Sequence, residues 1–153
     1  MASQEVKDYL NKVVASQGLF YIRLHQFHLY VKGSHFFALH EEFEDLYDQT
    51  TKDLDEVAER LLTIGGEPYS TLKEFIDHSI LEENVEDRKL SQDEMVQAVI
   101  KDLETLSKAY HEGAKVTDEH EDFVSNDMLI ALKADADKHI WMFKAYLGKE
   151  ADA

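Results

Sequence analysis

The sequence predicts an all-α chain folded as a four-helix bundle with one short extra helix. Three observations predict it. One proline and six glycines occur in 153 residues, mostly between periodic segments, as long helices joined by short loops require. Apolar residues recur at three- and four-residue steps over four long stretches, the spacing that gathers them on one side of a helix. Two Ser/Thr-x-x-Glu motifs open apolar runs, and this pattern satisfies the free N–H groups of a helix start. At this length the chain fits one domain, 1–153, able to bury a core without disulfides or a structural metal.

Val6, Leu10, Val13, Phe20, Leu24, Phe27 and Val31 define a first helix from Val6 to Val31 that stops at Gly33, with Gly18 only a mild interruption. A second helix of about thirty residues starts with Ser34 as its cap and carries Phe37, Phe43, Leu46, Tyr47, Leu54, Ala58, Leu61 and Leu62 before Gly65-Gly66 and Pro68 close it. Thr71 to Glu74 forms a capping box for a short helix bearing Phe75, Ile76 and Ile80. Ser91 to Glu94 opens a third long helix through Val96, Val99, Leu103, Leu106 and Tyr110, which Gly113 is expected to end. The last helix spans Asp122 to Leu147 with Gly148 as its C-terminal cap. Because residues 66–91 separate the second and third long helices, the natural topology is a crossover between antiparallel pairs, with the short helix inside it. That arrangement is ferritin-like.

Composition narrows the function. There is no cysteine, which excludes disulfides and thiolate metal sites and makes a reducing cytoplasm the expected location. The first residues carry charges where a signal peptide needs an apolar run, and no stretch is long and apolar enough for a membrane span. Thirty-two acidic against sixteen basic residues give a net charge of −16, which repels phosphate backbones and favours cations. Only Lys7, Lys12 and Arg23 are basic in the first thirty residues, so no cationic arm is present for DNA.

His40 and Glu44 stand four apart on the second helix, as do Asp55 and Glu59 further along it, so each pair faces one direction and offers imidazole or carboxylate ligands to a metal. The eleven residues from Glu44 to Asp55 turn about 1100°, some 20° past three full turns, so the pairs lie nearly on one face. Yet His40 and Asp55 are about 22 Å apart along the axis, far beyond metal–ligand bonds of roughly 2.0–2.2 Å. Only a second, antiparallel copy of the helix can join the half-sites, with a two-fold axis near Gln49 and Thr50. His28, just before the Lys32–Ser34 connection, reaches the His40 end of its own chain and counts as a third ligand. A di-iron site inside one bundle is usually built on Glu-x-x-His, and none of the eight histidines has glutamate three residues before it.

The stretch from His28 through His40 to Glu44, continuing to Asp55-Glu-Val-Ala-Glu59-Arg60, resembles the signature of the Dps family of mini-ferritins, and within it the members that do not bind DNA. The similarity runs through Leu61–Ile80 to the segment Lys138–Lys144, nearly the whole chain. The resemblance implies a dodecameric shell built from two-fold dimers, iron as the metal, and oxidation of Fe²⁺ by hydrogen peroxide in preference to O₂ at the dimer interface, with a stored ferric core. It implies His28, His40, Asp55 and Glu59 as ligands, with Zn²⁺ a competitor. Glu44 stands where the family usually has Asp, and Leu29 where it often has Trp, so protection against radicals falls to residues such as Tyr30 or Trp141. Asp118, Asp122 and Asp127 resemble the acids of the family's three-fold pores, and Glu41, Asp45 and Asp48 are candidates for mineral nucleation. Asp135 and His139, with no third partner in view, read as a solvated face; His25, His35, His78, His111 and His120 receive no role. DNA condensation and a non-catalytic helical scaffold are the competing functions.

Overall fold

The computed structural model describes residues 2–153, and these contain five α-helices and no strand. The helices are α1 (Gln4–Tyr30), α2 (Phe36–Thr63), α3 (Leu72–His78), α4 (Gln92–Glu119) and α5 (Phe123–Tyr146). A 3-10 turn at Val85–Lys89 completes the crossover. α1 packs along α2 and α4 along α5, and α1 meets α4 to join the pairs. Leu10, Phe20, Leu24 and Phe27 of α1, Phe43 and Leu61 of α2, Met95 and Leu106 of α4 and Leu129 of α5 are fully buried between them. Withdrawing each such side chain from water contributes about 1.5–3 kcal/mol, and the bundle is what brings their stripes together.

Both capping boxes form: Thr71 and Ser91 each accept from the backbone N–H three residues on, and Glu74 and Glu94 each reach back to their cap's N–H. Two expected boundaries of the long helices move. Ser34 is not the cap of α2; His35 is, and its side chain makes no capping bond. Gln92 of α4 intervenes, its Oε1 accepting from the His35 N–H at 3.1 Å and its Nε2 donating to Ser34 Oγ at 3.3 Å. A tertiary contact there does the work assigned to a local one. Nor does Gly113 end α4, which continues to Glu119. Gly113 is buried, and a Cβ there would meet the Tyr9 ring at 2.7 Å and Leu129 at 3.0 Å. It is glycine so that α1 and α5 can approach α4.

The crossover covers its own chain. Asn11 Nδ2 donates to Glu67 O and its Oδ1 accepts from Tyr69 N, both at 2.8 Å. Phe75 of α3 lies against Gly18, where a Cβ would come within 2.5 Å of its ring. Ile80 falls beyond α3, its N–H donating to Ser16 Oγ at 3.0 Å. Further along α1, Arg23 binds Asp87 of the 3-10 turn at 3.0 Å and Asp102 of α4 at 2.5 Å. A single helix thus anchors residues 67–87 along its length and holds the α1–α2 pair in place.

Candidate metal centre

The end of α1 and the start of α2 place two histidine rings face to face. His28 and His40 stack with centroids 3.7 Å apart and planes 16° from parallel. His28 Nδ1 lies 2.7 Å from His40 O, and His40 Nδ1 lies 2.8 Å from His28 O. A carbonyl oxygen only accepts, so each Nδ1 carries a hydrogen; in the neutral ring this leaves the lone pair on Nε2, the tautomer that a metal-binding histidine needs. Glu44 Oε1 lies 3.8 Å from His28 Nε2 on an exposed side chain. The Tyr47 hydroxyl donates to the same oxygen at 3.3 Å, and its ring stands perpendicular to His28 and stacks on His25 at 3.8 Å. Desolvation first, then the neighbouring His28, hold the His25 pKa below its ordinary value. Phe36 covers the far side of His40 at 5.0 Å.

Asp55 and Glu59 do not join this cluster. α2 is unbroken from Phe36 to Thr63, so the two half-sites remain about 22 Å apart along it. Both carboxylates are exposed, and neither enters an ion pair among the described residues. Within one chain, no three His, Asp or Glu side chains among those residues are placed to hold an ion together. Glu41, Asp45 and Asp48 are exposed on α2.

The three acids near the α4–α5 corner have different surroundings. Asp118 and Asp127 are exposed. Asp122 is the N-cap of α5, accepting from Ser125 N at 3.0 Å, Ser125 Oγ at 2.6 Å and Arg60 Nη2 at 2.9 Å. Burial alone would raise its pKa, but the bonds from Ser125 and Arg60 outweigh it and hold the carboxyl below its ordinary range. Through Arg60, the end of α2 that carries Glu59 is tied to the start of α5.

The Asp135–His139 pair is only partly a solvated face: the Asp135 side chain stays 45% exposed. The His139 side chain is 19% exposed, and both residues line a small interior cavity with Asp53 of α2. Helical spacing cannot tell which side of a mixed face turns inward; the packing of α5 on α4 decides it.

Comparison with known proteins shows the family. The Ferritin-like domain family matches residues 7–152. The chain is 48% identical to the DNA protection during starvation protein of Listeria monocytogenes over 96% of its own length and 94% of that protein's. The chain belongs to the Dps family. Among solved Dps structures, that of Listeria innocua Dps soaked with zinc superposes with a TM-score of 0.93 at 47% identity, covering 97% of this chain and 99% of the other. A Listeria innocua Dps carrying two histidine-to-glycine substitutions twelve positions apart superposes with a TM-score of 0.95 at 45% identity, covering 99% and 100%. His28 and His40 are also twelve positions apart.

As a Dps chain it has the ferritin-like all-helical fold and belongs to the iron-storing mini-ferritins. Among the described residues no helix is long and apolar enough to cross a membrane. The sequence reading of this Dps centre passed over Tyr47 and His25. Their signal was present: each lies three residues from a named ligand, His25 before His28 and Tyr47 after Glu44, the spacing that puts side chains on one helix face. The rings of Tyr47 and Phe36 lie against the histidine pair.

Proposed function

We propose that this Dps subunit is a cytoplasmic ferroxidase whose iron sites are completed between two subunits. One subunit supplies His28, His40 and Glu44, and its two-fold partner supplies Asp55 and Glu59. The observation that carries this reading is the division of ligands along α2: an orientation-locked histidine pair with Glu44 at one end, and unpaired, exposed carboxylates at the other. Two antiparallel copies of α2 bring unlike ends together twice, so each dimer holds two equivalent sites. The spacing of the paired histidine substitutions in the Listeria innocua protein supports the histidine assignment, and the zinc soak of that Dps supports Zn²⁺ as a competitor.

Fe²⁺ is the substrate. Neutral imidazoles and carboxylates suit this borderline ion, and anionic oxygens favour Fe³⁺ over Fe²⁺, which eases its oxidation. Two Fe²⁺ each lose one electron to hydrogen peroxide. The O–O bond breaks, two protons are taken up, and two waters leave. Few protein ligands leave room for the oxidant, with O₂ as the slower alternative. Asp118 and Asp127, with Asp122 anchoring their corner, form the acidic entry of the dodecameric shell, since rings of carboxylates guide cations. Ferric iron is stored inside, and the reaction removes iron and peroxide together.

The test is anaerobic Fe²⁺ loading followed by peroxide, with ferric absorbance recorded for the parent and for Asp55→Ala/Glu59→Ala, and shell assembly checked by size. Fast oxidation in the parent, lost in an assembled variant, is the expected result. Equal rates in two assembled proteins would remove Asp55 and Glu59 from the site.

A further inference from the structure

At the histidine end of α2 the three proposed ligands are not equally held. His28 and His40 are each fixed through Nδ1 to a backbone carbonyl. Glu44 has no such bond to the backbone, its side chain is 48% exposed, and a glutamate gives up more rotamer freedom than most side chains when it is fixed. One contact holds it on the histidine side. Tyr47, three residues further along α2, donates its hydroxyl hydrogen to Glu44 Oε1 at 3.3 Å, since a carboxylate only accepts. That same oxygen faces His28 Nε2 at 3.8 Å. This separation is too long for a hydrogen bond and within the span that one ion bridges with two bonds of roughly 2.0–2.2 Å.

The Tyr47 ring is itself fixed, and from the other helix. His25 of α1 stacks on it with centroids 3.8 Å apart and planes 18° from parallel. Tyr21 meets it nearly at right angles at 5.8 Å, and His28 does so at 5.3 Å. Stacked and perpendicular pairs are the favoured arrangements of such rings, so α1 decides where the hydroxyl sits. It supplies the ligand His28 and, three residues earlier, the platform for the group that steadies the ligand of α2.

We infer that Tyr47 is a positioning residue of the iron site, its hydroxyl holding the Glu44 carboxylate beside His28 Nε2 ready for Fe²⁺. The inference rests on the proposed iron site, with Glu44 among its ligands. It gives a reason for the tyrosine, which supplies no ligand, and it explains how a glutamate serves where the family usually has the shorter aspartate. The extra methylene brings freedom, and the hydroxyl removes it.

Tyr47→Phe keeps the ring on His25 and takes away only the hydroxyl. The test is the Fe²⁺ concentration that gives half-maximal initial oxidation with excess peroxide, measured on assembled protein for Tyr47→Phe, Glu44→Asp, the two together and the parent. Tyr47→Phe is expected to raise that concentration by about three- to tenfold, the worth of one modest hydrogen bond, with assembly and melting temperature unchanged. The bond to Glu44 is already long, so a carboxylate one methylene shorter ends beyond reach of the hydroxyl. Adding Tyr47→Phe to Glu44→Asp is therefore expected to change nothing further, an outcome that a merely structural tyrosine would not produce. A Tyr47→Phe protein indistinguishable from the parent overturns the inference, and so does an equal fold-change with and without Glu44→Asp. The comparison of the parent with Asp55→Ala/Glu59→Ala tests the shared site separately. Should that reading fail, the Glu44→Asp pairing still shows whether the hydroxyl acts through the carboxylate.

Discussion

His28 and His40 exchange Nδ1–H bonds with one another's backbone carbonyls, so turning either ring breaks a bond to the other's helix. This reciprocity fixes both rings, and under the proposed function a preset ligand costs less conformational freedom on binding. Asp53 is a residue under opposite pressure. Its pKa is pushed up to about 6, by desolvation first and by the charges of Asp135 and Glu56, while Gln49 and His139 act against the rise. The native state therefore holds this proton more tightly than the unfolded chain, whose carboxyl titrates near ~3.9. Its stabilising contribution is complete below the unfolded value and is lost as pH rises through about 6. Asp53→Asn is expected to stabilise the protein at pH 8 by about 1–2 kcal/mol after allowance for partial exposure. The gain should vanish at pH 4 and is read as the shift in urea midpoint at the two pH values; a gain unchanged at pH 4 would contradict it.

Among the elements, α1 carries the largest structural responsibility. Its Arg23 is buried and reaches both the crossover and α4. Burial opposes the guanidinium charge, but the charges and hydrogen bonds of Asp102 and Asp87 outweigh it and raise the Arg23 pKa. Arg23→Ala would leave Asp102 buried without its partner, and the expected loss is about 3–5 kcal/mol in denaturation experiments. Replacing the pair by Arg23→Met with Asp102→Leu should recover most of that loss, because the penalty lies in the uncompensated charge. Gly113 shows how an element escapes local rules. In isolation a glycine destabilises a helix interior by roughly 0.5–1 kcal/mol, which is why it reads as an end. The contact of α4 with Tyr9 and Leu129 leaves no room for a larger residue.

For the whole molecule, charge and exposed apolar surface point in different directions. The net charge of −16 repels nucleic acid, and Arg23, one of the few basic residues of the first helix, is spent inside on Asp87 and Asp102. No mobility shift of duplex DNA is expected at neutral pH and about 0.1 M salt, where the Debye length is about 10 Å. A salt-sensitive shift would restore DNA condensation as a function. Meanwhile Phe37 is 86% exposed, and Leu29, Leu62, Phe123 and Trp141 are also largely uncovered. Large apolar side chains left outside one subunit are the material of interfaces, in keeping with a shell and with a centre that one chain leaves incomplete.

The four long helices, both capping boxes, the crossover and the spacing of His28, His40, Glu44, Asp55 and Glu59 were legible in the sequence alone. The helices, the boxes and the pairs on α2 depend on interactions within a turn or on helical periodicity, which a linear pattern carries directly, and the crossover shows in the length of the connection between periodic stretches. Three features were settled only by the tertiary structure. Gln92 of α4 caps the start of α2 in place of Ser34, Gly113 lies within its helix rather than at its end, and Asp135 and His139 turn toward Asp53 and Gln17. Each involves partners far apart in the chain, and periodicity says which residues share a face of a helix but not what that face will meet.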